Sequence, residues 1–366
     1  DVCSSDPTII LGGQTYTATV QDDLTWSLPL SESQLTALGN GDLTVSASVT
    51  NAHGNTGSSS HDFTIDAQLP GLRIDTVAGD DVINVIEHAQ NLIVSGTSTD
   101  LAAGSTVTVT INGKTYSATV LADGTWQAAV PAADVSQWAD GSLDIKAGAQ
   151  DASGNPVTIG TVVDVDLAPV AITISSVTDD NVLNAAEKGQ DLLLSGTTSN
   201  VEAGQTVTIT FAGKTYTTTV DASGDWTWTV PAADLSGLKD GDASVQVTVT
   251  NVNGNAASSA QEFSVDTTAP TVTINTISHD NMLNAAEAAQ DLTLSGTSTA
   301  EAGQTVTVTF NGNQYTAQVQ ADGSWTLDVP AADMAGIADG SAAVTATVSD
   351  KAGNPASAGS SVLVDT

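Results

Sequence analysis

A chain of 366 residues carrying 7 Lys and Arg against 42 Asp and Glu, a formal net charge of −35, has too little basic surface to release phosphate counterions, so nucleic acid is excluded as a partner. A single cysteine, Cys3, excludes an internal disulfide framework, and no run of 18 apolar residues offers a membrane-inserting span. No secretory signal is visible at Asp1, and the abrupt start reads as a piece of something longer.

Taken in order, the chain is an array. The hinge Asp166, Leu167, Ala168, Pro169 returns as Asp66 to Pro70 and as Asp266 to Pro270, and Asp365 falls one residue short of the same 100-residue step. This divides the chain into repeats at 67–166, 167–266 and 267–366, preceded by a partial repeat at 1–66. Residues 1–66 align without gaps to 101–166, Tyr16 on Tyr116 and Trp26 on Trp126. The partial repeat therefore lacks counterparts of the first two strands. Its core is expected to be incomplete, either cut or filled by something else, because an open sheet edge invites pairing.

Within 67–166, apolar and polar residues alternate, as in Val107, Val109 and Ile111 with threonines between them, which marks half-buried strands. The pattern returns at Val207, Ile209, Phe211 and at Val306, Val308, Phe310, and turns such as Asn112-Gly113 and Asn311-Gly312 give hairpins. Seven strands are expected, at roughly 71–78, 91–97, 105–111, 114–120, 125–130, 142–150 and 157–165. About 100 residues with seven short strands read as an immunoglobulin-like β-sandwich, so the fold class is all-β, a tandem array. The segment Pro131 to Gly141, recurring at Pro231 and Pro330, is expected to cross between sheets as a turn or short helix.

If each strand reverses the one before it, three groups converge at each repeat boundary. They are the first-loop acids of one repeat, its terminal aspartate, and the Asp/Asn-x-x-Gly-Asn loop of the next. For the central boundary these are Asp80, Glu87, Asp166, Asn251 and Asn255; for the next, Asp180, Glu187, Asp266, Asp350 and Asn354. The same positions elsewhere are Asp66, Asp151 and Asn155, and Asp280, Glu287 and Asp365. Carboxylates and amide oxygens gathered at one seam suit a hard cation, and calcium takes six to eight oxygens in flexible geometry. Residue by residue the bland reading stands beside this one: Asp166 precedes a turn, Gly154-Asn155 makes a loop, and Glu87 is a solvated acid. Recurrence favours the convergence, because Asp80, Asp180, Asp280 and Glu87, Glu187, Glu287 repeat while position 79 drifts from Gly79 to Asp179 to His279. Proline in the hinge leaves few soft torsions in the linker.

The Val-Asp-Thr-Thr-Ala-Pro hinge at Val265 to Pro270, the Asp-Lys-Ala-Gly-Asn loop at Asp350 to Asn354 and Ala-Asp-Gly-Ser-Trp at Ala321 to Trp325 together resemble the bacterial Ig-like repeats of giant adhesins exported by type I secretion. The Ala-rich loop Leu183 to Glu187 is similar to that of nonfimbrial Salmonella adhesins. The resemblance implies an extracellular, monomeric rod, secreted or held at the bacterial surface. Its repeats would bind calcium near their junctions and hold an adhesive region out toward host epithelial cells, as a virulence factor. Departures are Asn51 and Asn251, where the family often has Asp before Gly-Asn, and Asn40 in place of the acid at Asp140, Asp240 and Asp339. Those junctions are expected to bind more weakly or through other oxygens.

Other chemistries have less support. No nucleophile and base recur together, and His53, His61, His88 and His279 fall at different repeat positions, so neither an enzyme nor a zinc site is expected. A glycan-binding module is the rival, since exposed aromatics stack on sugars. Trp126, Trp226 and Trp325 share a column with Trp26, while Trp138 aligns with Leu38, Leu238 and Ile337, and Trp228 with Leu28 and Leu327. Columns that accept Leu are expected to be core. A merely solubilising acidic spacer would scatter its acids rather than repeat them. Strand lengths suggest a repeat of roughly 35 Å and a straight chain of roughly 120 Å.

Overall fold

The computed structural model describes residues 6–366, so Cys3 lies outside the described residues. The chain divides into two compact units, the first ending at Leu167 and the second beginning at Ala168.

In the first unit, β1 (Thr8–Leu11), β2 (Gln14–Thr17), β3 (Gly41–Thr50) and β4 (Thr56–Ile65) form one antiparallel sheet in the order β2-β1-β3-β4, with helix α1 (Glu32–Leu38) between β2 and β3. Then follow β5 (Gly71–Ile74), β6 (Val82–Ile83), β7 (Leu92–Thr99), β8 (Thr106–Ile111), β9 (Lys114–Thr119), β10 (Thr125–Val130), helix α2 (Ala132–Val135), β11 (Gly141–Gln150) and β12 (Pro156–Val165). These make a three-stranded sheet, β10-β7-β5, and a five-stranded sheet, β6-β12-β11-β8-β9. Val94, Val107, Val109, Trp126, Ile145 and Val163 belong to one buried cluster drawn from both sheets. Burying a side chain of that size contributes about 1.5–3 kcal/mol.

In the second unit the plan repeats twice. First come β13 (Ala171–Ile172), β14 (Val182–Asn184), α3 (Ala185–Lys188), β15 (Leu192–Ser199), β16 (Thr206–Phe211), β17 (Lys214–Thr219), β18 (Asp225–Val230), α4 (Ala232–Leu235), β19 (Gly241–Thr250) and β20 (Ala256–Asp266). They are followed by β21 (Met282–Asn284), α5 (Ala285–Ala288), β22 (Leu292–Thr297), β23 (Thr305–Phe310), β24 (Asn313–Gln318), β25 (Ser324–Val329), α6 (Ala331–Met334), β26 (Gly340–Ser349) and β27 (Pro355–Asp365). The sheets are β13-β15-β18 and β14-β20-β19-β16-β17, then β22-β25 and β21-β27-β26-β23-β24. In the last repeat the opening strand shrinks to a single bridge, Val272 to Ser298.

The alternation that predicts seven strands is realised, with two differences. The strand expected over 71–78 ends at Ile74, and an additional two-residue strand, β6, runs parallel to β12. An uninterrupted reversal of strands is therefore wrong. Two residues are too few to show a period, which is why the pattern hides them. Yet β6 carries the first loop to the terminal aspartate: the Asp166 amide donates to the Ile83 carbonyl at 3.0 Å.

The crossing at Pro131 is a short helix in all three full repeats, each with proline at the N-cap and one buried apolar residue, Val135, Leu235 or Met334. The Tyr116 hydroxyl donates to Asp134 at 3.0 Å, and Lys114 pairs with the same carboxylate. Burial, then the Asp134 bond, pushes the Tyr116 phenol up to about 12.

The tryptophan columns behave as core with one exception. Trp126, Trp226 and Trp325 are each 1% exposed and Trp138 is 4% exposed, whereas Trp26 is 42% exposed. In the full repeats this tryptophan lies on a strand whose ladder partner is β7, β15 or β22. Among the described residues the partial repeat has no such partner, and its residues 25–30 form no strand.

Candidate functional site

The most complete repeat boundary lies inside the second unit. Strand β14 runs parallel to β20 in a register that sets Asn184 beside Asp266. Asn184 is the N-cap of α3: its Oδ1 accepts the amides of Ala186 and Glu187 at 2.9 and 3.0 Å, and the Glu187 carboxylate accepts the Asn184 amide at 3.0 Å. This capping box satisfies orphan donors at the helix start and holds Glu187 half-buried.

Onto this corner the following repeat lays its Asp350–Asn354 loop. Asp350 Oδ1 accepts the Asn354 amide at 2.7 Å, its Oδ2 accepts Asn354 Nδ2 at 3.0 Å, and Gly353 takes φ +89°, a conformation that suits glycine. The Asn354 side chain then reaches out of its own repeat. Its Oδ1 accepts the Ala185 amide at 2.8 Å and its Nδ2 donates to the Asp266 carbonyl at 2.9 Å. Asp350 is 8% exposed and Asn354 1% exposed. The geometry thus brings Glu187, Asp266, Asp350 and Asn354 to one corner.

A second, simpler boundary lies in the first unit. Asn155 Nδ2 donates to the carbonyls of Asp66 and Gln68 at 3.1 and 3.3 Å, and Ser153 Oγ donates to Asp66 Oδ2 at 2.9 Å. The Asn155 side-chain amide, helped by the amides of Asn155, Ser153 and Gly154, holds the Asp151 carboxyl below the usual carboxylate range. Asn251 and Asn255 shape the same loop, with Asn251 Oδ1 accepting the Asn253 and Asn255 amides at 3.1 and 2.9 Å. Amide and carboxylate serve that turn equally.

Other predicted residues are placed differently. Asp80, Asp180 and Asp280 are exposed, and each Oδ1 accepts the amide two residues on, from Val82, Val182 and Met282, at 3.0, 3.0 and 2.9 Å. They are turn formers that launch β6, β14 and β21, and their recurrence records backbone geometry. Glu87 and Glu287 close capping boxes on Asn84 and Asn284 as Glu187 does on Asn184. The Asn284 amide and then the Ser278 hydroxyl hold the Glu287 carboxyl below its ordinary value. Asp166 is half-buried after β12, and Asp365 is exposed in register with Asn284.

One set of residues recurs in the sequence without a role that the sequence assigns. Asp140 Oδ1 accepts the Leu167 amide at 2.6 Å, Asp240 Oδ1 the Thr267 amide at 3.0 Å, and Asp339 Oδ1 the Thr366 amide at 2.8 Å. Asn40 does the same for Ala67 at 3.1 Å. Each side chain clamps the residue just past a terminal aspartate. The signal in the sequence is a recurring Asp or Asn 27 residues ahead of that position. At Asp240 the Thr267 and Thr268 hydroxyls also donate, at 2.7 and 2.6 Å, and these bonds lower its pKa.

The donors at the Asp266 corner are hard oxygens, the kind calcium takes. The ion pairs among the described residues are Arg73–Asp75, Lys114–Asp134 and Lys214–Asp234, so no protein cation offsets the buried Asp350. The donor chemistry therefore fits a hard cation. The expected gathering of three carboxylates is a different matter: among the described residues no group of three or more His, Cys, Asp or Glu side chains is placed to hold a metal ion. The first-loop aspartates Asp80, Asp180 and Asp280 each engage Oδ1 in a turn.

The family model for the bacterial Ig-like domain matches residues 170–267 and 271–366, together more than half of the chain. The chain belongs to the bacterial Ig-like domain family. Solved structures with similar sequences come from large adhesins. One, the Ca2+-stabilized adhesin with which an Antarctic bacterium reaches out and binds ice, is 36% identical over 100% of this chain and 91% of that one, with a TM-score of 0.44. A second, from a 1.5-MDa bacterial ice-binding adhesin studied for host cell surface retention, is 35% identical over 81% of this chain and 98% of that one, TM-score 0.44. A tetra-tandem repeat from the extending region of a large adhesion protein is 31% identical over 100% and 93%, TM-score 0.38. Curated protein sequences give no match. Bacterial Ig-like repeats are structural modules, and among the described residues no helix is long and apolar enough to cross a membrane.

Proposed function

We propose that the chain is a calcium-rigidified extracellular spacer segment of a giant bacterial adhesin, made of Ig-like repeats at 67–166, 167–266 and 267–366 and a partial repeat at 1–66. The observation that carries the reading is the Asn354 side chain, which fastens the loop of one repeat to both the cap and the terminal aspartate of the repeat before it. A linker fixed in this way transmits reach. Calcium at this corner would draw on the buried Asp350 carboxylate with neighbouring carbonyl and amide oxygens rather than on a cluster of three carboxylates, supplying the positive charge that the sequence withholds. The same role is proposed for Asp66 with Asp151, and for Asp166 with Glu87.

The parent chain would be a monomeric rod, exported by type I secretion, remaining at the cell surface and presenting an adhesive region to host epithelial cells. A finer resemblance, of the Leu183 to Glu187 loop to repeats of the Salmonella nonfimbrial adhesin SiiE, motivates that target. A glycan-binding role for these repeats would need a tryptophan face in the open. Trp26 is the exposed tryptophan among the described residues, and its exposure follows from a missing ladder partner. Calorimetric titration with calcium tests the reading: saturable binding in the millimolar range of extracellular modules is expected, and its absence there overturns it.

A further inference from the structure

The sequence holds four Asn-Gly steps, at Asn40-Gly41, Asn112-Gly113, Asn253-Gly254 and Asn311-Gly312. In such a step the glycine has no side chain to keep its amide nitrogen away from the asparagine carboxamide, so the two can close a five-membered ring. The fold decides which step is free to do so. Asn112-Gly113 and Asn311-Gly312 are the central residues of two-residue hairpin turns, with φ of +46° and +75° in the first and +48° and +80° in the second, as a type I′ turn requires. Both turns are exposed.

Three of the four steps are tied down. The Asn311 side chain donates to the Asp333 carbonyl at 3.2 Å, and the Asn40 side-chain oxygen accepts the Ala67 amide at 3.1 Å. The Gly254 amide donates to the Asn251 carbonyl at 3.2 Å, which occupies the nitrogen that would attack. Asn112 differs. Among the described residues no group hydrogen-bonds its side chain, and none accepts the Gly113 amide. The turn does not need the carboxamide either, because Ala212 and Gly213 make the same turn between β16 and β17, with φ of +52° and +73°.

We propose that Asn112 is a site of spontaneous deamidation, made the fastest of the four steps by the untethered side chain and amide of this one turn. Solvent hydroxide removes the Gly113 amide proton, and the nitrogen forms a bond to Asn112 Cγ. The Cγ–Nδ2 bond breaks as the amino group takes a proton from water and leaves as ammonia. Water then opens the succinimide at either carbonyl, leaving an aspartate or an isoaspartate and one more negative charge. The isoaspartate also adds one backbone atom to the turn that sets the β8–β9 register, from Thr106 opposite Thr119 to Ile111 opposite Lys114. Strand β9 is the edge of its sheet and carries Lys114 and Tyr116 to Asp134, so the modification loosens an edge tie of the repeat.

The test holds the intact chain in mildly alkaline buffer, samples it over days, and follows each Asn-Gly peptide by its mass gain of about 1 Da. Enzymatic methylation of isoaspartate identifies the rearranged product. Modification at Asn112 is expected to run several-fold faster than at Asn311, Asn253 or Asn40. In urea the four rates are expected to converge, because the ties that separate them are gone. Asn112→Ala, which copies the turn at Ala212, is expected to fold and to remove the signal from that peptide alone. The modified fraction, separated by its added charge, is expected to exchange its β9 amides several-fold faster. Three results overturn the proposal. One is an Asn112 that stays intact in the folded chain while it is modified in urea, which means that the turn protects it. Another is an equal rate at Asn112 and Asn311 in the folded chain. The third is the same ranking in urea as in buffer, which makes the neighbouring sequence and not the fold the cause.

Discussion

The side-chain oxygen of Asn354 accepts the backbone amide of Ala185 at 2.8 Å, joining residues 169 positions apart. Removing it with Asn354→Ala leaves the Ala185 amide and the Asp266 carbonyl without this partner in a part-buried corner. Such orphaned groups cost about 1–3 kcal/mol. The expected result is faster hydrogen exchange at Ala185 with the interiors of both sandwiches unchanged. Asn354→Asp, which keeps the acceptor and loses the donor, is expected to fall between.

Acid should release the clamps unevenly. The folded pKa of Asp240 is lowered by its Thr267 and Thr268 bonds. Its contribution is therefore fully present above the ordinary aspartate value of about 3.9 and is lost as pH falls through the lower folded value. The clamp at Asn40 has no proton to gain. Exchange of the Thr267 amide is thus expected to accelerate in acid, relative to its behaviour in Asp240→Asn, while the Asn40 bond to Ala67 does not titrate. Amide exchange followed by NMR from pH 5 downward compares the two.

Calcium is expected to raise the unfolding midpoint of the chain. An ion at 100 times its dissociation constant adds about 2.7 kcal/mol if it binds the folded state alone. Asp266→Ser should remove the share belonging to that boundary and leave the chelated protein's midpoint nearly unchanged. Equal midpoints with calcium and chelator would count against the proposal. Small-angle scattering adds a shape readout, with a larger maximum dimension expected when calcium is present.

Gly296 admits no side chain. A Cβ there would lie 1.9 Å from the Thr273 carbonyl oxygen and 2.6 Å from Trp325. Gly296→Ala is expected to cost about 3 kcal/mol or more, because backbone must move on one side and a fully buried indole on the other. Thermal melts of the variant check this.

Trp228 is the opposite case. Its column accepts Leu28 and Leu327, and its indole nitrogen is buried without a hydrogen-bond partner. Trp226 instead donates to the Thr173 carbonyl at 3.1 Å. Trp228→Leu is therefore expected to change stability by under about 1.5 kcal/mol, and Trp226→Leu by about 3–5 kcal/mol. Chemical denaturation of the pair separates the two columns.

Sheets and hairpins were legible because alternation and Asn-Gly turns are local, and the columns of Trp126 and Trp138 were legible because internal repetition stands in for comparison. Strand β6 was not, since two residues carry no period. Recurrence alone does not give the acids at Asp80, Asp180 and Asp280 a role, because a turn requirement, which their Oδ1 atoms meet, and a ligand requirement leave the same mark in a sequence. Asp140, Asp240 and Asp339 were seen to recur, yet their role needed the register of a bond across 27 residues. Trp26 shows the limit of the repeat argument: an identical column loses its environment when the strand opposite is missing.

Strand β6 also bears on mechanics. In the first unit, β12 leads directly into the segment at Asp166 and is hydrogen-bonded on both sides, to β11 across ten residue pairs and to β6 across two. Tension pulling on Asp166 along the strand would load these ladders in shear, so several bonds must yield together. An edge strand drawn off sideways would instead unzip one bond at a time. The two-residue strand lets the element that bears the pull be gripped from both flanks.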